Sequence, residues 1–319
     1  MGQLRFGTDG VRGRALTELT TDYVGSLGRA AADVVGRGEW LVGRDTRESG
    51  PVLEQALIDG LRDAGAEPVR LGVLPTPALA YLSERHAAPA AMITASHNTY
   101  HDNGVKIFAS GGLKLTDEIE RSIETAMGRP PGPSGHSEVA HSASVHEYGD
   151  HLVDSNPSNM LYGLRIVLDC ANGAMYEAAP HAARRMGADV VVINAQPNGR
   201  NINLKCGSTA PEALVAKVKE VRADIGIALD GDADRVVIID EKGEIVDGDQ
   251  LMAVISESWH RRGRLAAGGI VATVMSNLGL ERYLKGLGLA MVRTPVGDRY
   301  VVEHMLKHGY NVGGEQSGH

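Results

Sequence analysis

The chain has 319 residues, 43% hydrophobic and 23% charged, the balance of an ordinary globular protein long enough for two or three domains. Its net charge of -8 argues against a nucleic-acid or anionic-membrane partner, yet a phosphorylated substrate stays open if cations gather locally. Two unrelated cysteines, no secretory signal and no apolar run of membrane-spanning length lead to the expectation of a cytoplasmic protein.

From the N-terminus, "FGTDGVRG" (6–13) sets Arg12 among glycines, as an anion-contacting loop would, although a solvated surface charge is the commoner fate of a lone arginine. "WLVG" (40–43) reads as a strand and "PVLEQALIDGLRDAG" as a helix with apolar residues three and four apart. The strands "AAMIT" (90–94) and "VKIFA" (105–109) enclose "TASHNTYHDNGVK". A loop that only reverses the chain needs little more than Asn103-Gly104, so the surplus of polar side chains calls for another explanation. Ser96 has three readings. It is a turn serine, or a hydrolase nucleophile, or a covalent phosphate carrier. The second is weak, because there is no G-x-S-x-G elbow and His97, next in the chain, is poorly placed as its base. The third would make a dianion that needs a metal and cations nearby, and Lys106 is there either as one such cation or as a proton-transfer group.

A stretch rich in Pro, Gly and Ser (128–144) reads as a linker closing a first domain, 1–150. A second domain, 151–250, carries the strands 165–170, 189–195, 224–230 and 236–240, with the helix "PEALVAKVKEVRA" capped by a Thr209–Glu212 box. Between its last two strands lies "DGDADR". Asp230, Asp232 and Asp234 repel one another unless a cation sits among them, and a solvated acidic turn is a poor alternative between apolar strands. An EF-hand fails on Arg235 at the loop position that requires Gly. A hard-cation site for Mg²⁺ is the better reading, with a phosphate on Ser96 as a further oxygen ligand.

A third domain, 251–319, has the helix-like "QLMAVISESWHRR", the strands 269–275 and 289–294, and "TPVGDRYVVEHML", where Gly297 and Asp298 open a helix with Arg299 just inside. It ends on "GGEQSGH". Glu315 and Ser317 suit sugar hydroxyls and His319 suits proton transfer, while a polar surface loop is equally good when that stretch is read alone. The strand–helix alternation implies an α/β fold of tandem domains with mixed sheets, and its recurring rhythm suggests duplication.

Together "FGTDGVRG", "TASHN", "DGDADR" and "GEQSGH", in this order, resemble the α-D-phosphohexomutase superfamily over the whole chain. "NINLKCGST", "VGDRYV" and Gln316 lean toward its amino-sugar branch. The resemblance implies α/β domains whose sheets are sandwiched by helices around a central active-site cleft. It implies Ser96 as phosphoserine, holding Mg²⁺ with Asp230, Asp232 and Asp234. Arg12, Lys106, His97 and His319 become the catalytic candidates, and Glu315, Ser317, Arg235, Gly297 and Asp298 the substrate-binding ones. The implied reaction interconverts glucosamine 6-phosphate and glucosamine 1-phosphate, with glucosamine or glucose 1,6-bisphosphate as phosphorylating activator. Glucose or mannose phosphates are the alternative substrates, and a sugar-phosphate-binding protein with little turnover is a further reading. An aspartyl-phosphate phosphatase built on Asp230 is a rival from another class. Three positions depart from the family pattern, Thr99 for Pro, Ala233 for Gly and Ala210 for His. The family's fourth, phosphate-gripping domain has no counterpart after His319 in this sequence, so slow turnover is expected, with a bare sheet edge that either a homodimer or a missing segment covers.

Overall fold

The computed structural model describes residues 4–7, 9–128, 140–141 and 145–319. Its first sheet is built from β1 (Val11–Arg14), β2 (Glu39–Arg44), β3 (Glu67–Val73), β4 (Ala90–Ile93), β5 (Asp102–Ala109), β6 (Leu113–Lys114) and β7 (Ala140–His141). The helices α1 (Thr21–Val35), α2 (Gly50–Asp63), α3 (Thr76–His86) and α4 (Asp117–Ala126) connect them. The strand order is β1-β5-β4-β2-β3-β7, with β6 on β5. After α5 (Val145–Asp154), the second sheet uses β8 (Arg165–Asp169), β9 (Asp189–Ile193), β10 (Ile225–Leu229), β11 (Val236–Asp240) and β12 (Ile245–Val246), with helices α6 (Ala178–Arg185) and α7 (Glu212–Val221). The third takes β13 (Gly269–Thr273), β14 (Ala290–Thr294) and β15 (Gly313–Gly314) with α8 (Gly248–Arg261), α9 (Leu278–Gly286) and α10 (Asp298–His308).

The recurring rhythm has a structural counterpart. In each sheet the first strand of a parallel trio sits in the middle, with β2 between β3 and β4, β8 between β9 and β10, and β13 between β14 and β15. The serine loop follows β4, the aspartate loop follows β10 and "EQSGH" follows β15, so all three leave the carboxyl end of the third strand of a trio. That end is where open α/β sheets place ligands.

Alternation along the buried strands explains the two helical layers over the first sheet. Trp40, Val42, Ile93, Val105 and Ile107 point to the side of α1, α2 and α4, whereas Leu41, Met92 and Phe108 face α3. All nine strands read from the sequence are present, with ends shifted by a residue or a few. Three local readings are corrected. Asn103 and Gly104 are buried inside β5 rather than turning the chain, because β1 pairs with them, Gly13 opposite Asn103 and Arg12 opposite Gly104. The N-cap of α7 is Pro211 with no side-chain cap, so the Thr209 box does not form; the capping box is at α8, between Asp247 and Gln250. Of the stretch 128–144, Gly128 and β7 are described, and β7 is an edge strand on β3 rather than linker; the rest lies outside the described residues. Among the described residues no helix is long and apolar enough to cross a membrane.

Helices α1 and α2 cross where glycines let backbones touch. A Cβ on Gly28 would lie 2.5 Å from the Leu57 carbonyl oxygen, and one on Gly60 would collide with the Gly25 carbonyl. Overpacking costs about 1–3 kcal/mol and exceeds the ~1 kcal/mol that alanine gains over glycine in a helix. Gly60→Ala should therefore lower stability by roughly 1–2 kcal/mol, read as a lower urea midpoint at unchanged m-value.

Candidate active site

The serine loop is held from below. Thr94, just past β4, donates its hydroxyl to Asp45 Oδ2 at 2.7 Å and accepts the Ser96 N–H at 2.9 Å. Ser96 is fully buried with φ +50°, a left-handed conformation that a β-carbon disfavours. Its hydroxyl donates to Asp230 Oδ2 at 2.6 Å and lies 3.2 Å from His97 Nδ1. The left-handed turn brings the adjacent imidazole to the hydroxyl, against the expectation from the sequence.

Asp230, Asp232 and Asp234 each offer an oxygen within 4.8 Å of the others. Asp232 Oδ2 accepts from Thr76 Oγ1 at 2.6 Å and Lys106 Nζ at 2.8 Å, and Asp234 Oδ2 accepts from the same ammonium at 2.6 Å. The Oδ1 atoms of Asp232 and Asp234 are buried with no hydrogen-bond partner among the described residues. Buried carboxylate oxygens of this kind are costly unless something binds them. Burial, reinforced by Asp232 and Asp234, pushes Asp230 well above the usual carboxylate range. Burial works against the charge on Asp232 too, but Lys106 outweighs it and holds that carboxyl low. The donor set, all hard oxygens in one dry cluster, fits a Mg²⁺-sized cation.

Lys106 is buried and desolvation works against its charge, yet Asp232, Asp234 and Asp9 outweigh it and raise its pKa well above normal. Asp9 closes the other side, 3.0 Å from Lys106 and 2.6 Å from Lys114, and also accepts from Arg12. Desolvation opposes its charge, and Lys106, Lys114 and Arg12 together overcome it and hold it low. Above this network Arg5, Arg12 and Arg235 line a cavity of about 310 Å³. Burial, then Arg235 and Arg12, push His97 down to about 4, so its ring is neutral at pH 7.

The loop after β15 is pinned onto the second sheet, where Val236 N–H donates to the Gly318 carbonyl at 3.1 Å. Glu315 is buried; its Oε1 accepts the Gly297 N–H at 2.8 Å and its Oε2 the Ser317 hydroxyl at 3.3 Å. Arg235 Nε donates to His319 Nε2 at 2.8 Å, which places the ring proton on Nδ1, 3.9 Å from Asp234 Oδ1. Asp298 Oδ1 accepts from Lys114 at 2.7 Å. Arg299 is buried rather than solvated, donating to the Leu115 carbonyl at 3.0 Å and pairing with Asp117 and Glu120. Arg12 is likewise paired, with Asp9.

Every candidate residue from the sequence therefore lies on one of the loops that converge here or on the elements flanking them. Asp9, Asp45, Thr76 and Lys114 were missed, as were Arg47 and Asn203, which both donate to the Ser96 carbonyl. Asp9 stands inside "FGTDGVRG" and Asn203 inside "NINLKCGST", so both lay in singled-out motifs. Thr76 opens α3 as an ordinary helix-start residue and carries no such signal.

Family models described as phosphoglucomutase/phosphomannomutase, alpha/beta/alpha domains I, II and III, match residues 3–130, 146–243 and 247–319. A phosphoglucosamine mutase of Rhodopseudomonas palustris is 51% identical, with all of this chain and 74% of the relative covered. One from Nitrobacter winogradskyi is 52% identical with the same coverage. Among solved structures, a phosphoglucomutase/phosphomannomutase family protein of Burkholderia thailandensis superposes with a TM-score of 0.90 at 26% identity, covering 100% of this chain and 72% of that one. An Aspergillus fumigatus N-acetylphosphoglucosamine mutase, solved with GlcNAc-6P and magnesium, shares the fold at a TM-score of 0.65 and 19% identity, covering 100% and 67%.

Ala233, between the second and third aspartates, has φ +57°. The left-handed conformation costs an L-residue about 1–2 kcal/mol, whereas glycine adopts it freely and costs only roughly 0.5–1 kcal/mol of extra chain entropy. Ala233→Gly should therefore raise stability by roughly 0.5–1 kcal/mol, read as a higher urea midpoint.

Proposed function

The chain belongs to the phosphoglucomutase/phosphomannomutase family, and on that premise we propose that it interconverts glucosamine 6-phosphate and glucosamine 1-phosphate through a phosphorylated Ser96. The observation that carries this reading is the Ser96 hydroxyl, buried and 2.6 Å from the first of three clustered carboxylates. Asp230, Asp232, Asp234 and an oxygen on Ser96 would hold one Mg²⁺. When bound, that ion neutralises phosphoryl oxygens as charge shifts between donor and acceptor.

The remaining work falls to side chains. A sugar hydroxyl lies against the phosphorus of phospho-Ser96; a new sugar O–P bond forms while the Ser96 Oγ–P bond breaks. The sugar hydroxyl loses its proton, Ser96 Oγ gains one, and the product is a bisphosphorylated sugar. After the sugar turns over, Ser96 attacks the other phosphate and the same bonds exchange in reverse, leaving the isomeric monophosphate. Asp230 Oδ2 and His97 Nδ1 are the acceptors next to the Ser96 proton. His97, neutral at pH 7, is the one free to carry that proton once a cation occupies Asp230. Lys106 keeps its proton and acts as a fixed charge that orients Asp232 and Asp234. On the sugar side His319 is the proton carrier, with its Nε2 lone pair held by Arg235 until a substrate phosphate draws that guanidinium away. Glu315 and Ser317 face the sugar hydroxyls, with Gly297 and Asp298 beside them, and Arg12 and Arg235 face phosphate. Chemistry of this kind rests on positioning and charge neutralisation.

Incubation with glucose 1,6-bisphosphate and Mg²⁺ should place an acid-stable phosphate on Ser96, found by peptide mapping. An acyl-labile phosphate on Asp230 would replace this reading with the phosphatase one. Asp232→Asn should keep the fold and lose at least about a hundredfold in Mg²⁺-dependent labelling, since it removes a hard oxygen charge without changing volume. Turnover of glucosamine 6-phosphate above glucose and mannose 6-phosphates is expected, and a preference for mannose would move the substrate assignment.

A further inference from the structure

Two residues that never approach the Ser96 hydroxyl converge on the backbone beneath it. Arg47 is 1% exposed, and its guanidinium uses its whole set of donors. Nε donates to Asp45 Oδ2 at 2.9 Å, and Nη1 to the carbonyls of Thr99 at 2.5 Å and Asp102 at 3.1 Å. Nη2 donates to the carbonyls of Ser96 at 2.9 Å and Asn98 at 2.8 Å. From the opposite side, Asn203 Nδ2 donates to those same two carbonyls, at 2.8 Å and 2.9 Å. Ser96 O and Asn98 O thus each accept twice, once from a residue beside the first sheet and once from a residue beside the second.

Asn203 is itself firmly placed. It has φ +54°, which asparagine tolerates better than most residues, and its N–H donates to the Ala171 carbonyl at 3.0 Å. The segment around it is tied to the ends of the second sheet, Gly207 N–H to Asp169 Oδ2 at 2.9 Å and Ser208 N–H to the Leu229 carbonyl at 2.9 Å. Gly231, between the first two aspartates, packs onto the same point. A Cβ there would lie 2.7 Å from both Asn203 Nδ2 and Ser96 O. Serine loop, aspartate loop and Asn203 are in contact with no slack between them.

We propose that Arg47 and Asn203 are positioning residues that lock the serine-loop backbone between two sheets, and that Asn203 makes the aim of the Ser96 hydroxyl depend on the seating of the 201–208 segment. The inference rests on the reading of Ser96 as phosphoryl carrier. Ser96 occupies a left-handed conformation that is not its preferred one, so its backbone needs restraint from outside. Releasing its carbonyl on one side lets the peptide plane tilt, and the tilt swings Cβ and Oγ away from Asp230. Misplacement of a reacting atom by about 1 Å can cost a hundredfold in rate. Asn203 is 5% exposed, spends its Nδ2 on two backbone carbonyls and does not line the cavity of Arg5, Arg12 and Arg235, so binding of sugar and bisphosphate should be spared.

The test is single-turnover phosphorylation by glucose 1,6-bisphosphate with Mg²⁺, as a function of bisphosphate concentration, on the parent chain, Asn203→Ser, Asn203→Ala, Asn203→Asp and Arg47→Lys. In Asn203→Ala the maximal rate should fall about tenfold to a hundredfold, with the half-saturating bisphosphate within about threefold of the parent. Asn203→Ser, which keeps one donor, should fall between the two. Asn203→Asp should be slower than Asn203→Ala although it conserves volume, because a carboxylate would face two carbonyl oxygens. A space-filling role would give the opposite order. Arg47→Lys should lose a comparable amount, since one ammonium cannot reach four carbonyls. Circular dichroism and melting temperature check that each variant is folded. A folded Asn203→Ala that labels at the parental rate, or whose loss lies wholly in bisphosphate binding, overturns the clamp while leaving the carrier reading intact. A parent chain that takes no phosphate on Ser96 overturns both.

Discussion

The buried ammonium of Lys106 is the interaction on which the site depends. It projects from β5 and meets Asp9 from the N-terminal segment and Asp232 and Asp234 from the second sheet. A cation sealed from water is tolerable only when it is fully paired, and a group of carboxylates is tolerable only with a cation among them. Each side therefore justifies the burial of the other. The same pairing sorts the oxygens of Asp232 and Asp234, since Lys106 occupies one on each and leaves the other without a hydrogen-bond partner among the described residues. Removing the ammonium would leave three carboxylates facing one another at the interface of two sheets.

A repeated topology explains how such distant residues meet. Each parallel trio ends in a loop at the carboxyl end of its third strand, and those loops carry Ser96, the aspartates and Glu315 in turn. In the first two sheets an antiparallel strand follows the loop at once, β5 after β4 and β11 after β10, so the loop is anchored at both ends. The functional groups therefore ride on strand ends that the buried cores already fix. The backbone at Ser96 takes only local restraints from Thr94, Arg47 and Asn203.

Much of this was legible in the sequence, for physical reasons. The longer strands read as apolar runs, so nine were visible, seven from the parallel trios together with the antiparallel β5 and β11. β3, "EPVRLGV", was hidden because Pro68 and Arg70 interrupt the run, and the two-residue strands are too short to carry a pattern. Clustered polar residues drew attention to Ser96 and the three aspartates, because like charges in an apolar setting demand a partner. The supporting residues gave no such signal. Arg47 and Arg299 look like surface arginines until the fold wraps carbonyls and carboxylates around them, and Asn103 looks like a turn residue until β1 pairs with its strand. His97 was judged by its distance along the chain, whereas a positive φ at Ser96 decided where its ring points.

The third sheet is tied to the first by bonds of a different kind. At the serine and aspartate loops the links are buried and short. At the loop after β15 they pass through α10, whose first residues Asp298 and Arg299 bind Lys114, Asp117 and Glu120, while the Gly297 N–H holds Glu315. The Lys114 and Asp298 side chains are 16% and 26% exposed, so water and salt screen that pair more than they screen Lys106. The tie between the third sheet and the first thus has a dry half at Arg299, 4% exposed, and a screened half at Lys114. For the proposed reaction this leaves Ser96, free of its phosphate while the bisphosphate turns around, aimed by buried contacts, whereas the third sheet is held in part by a pair that water screens.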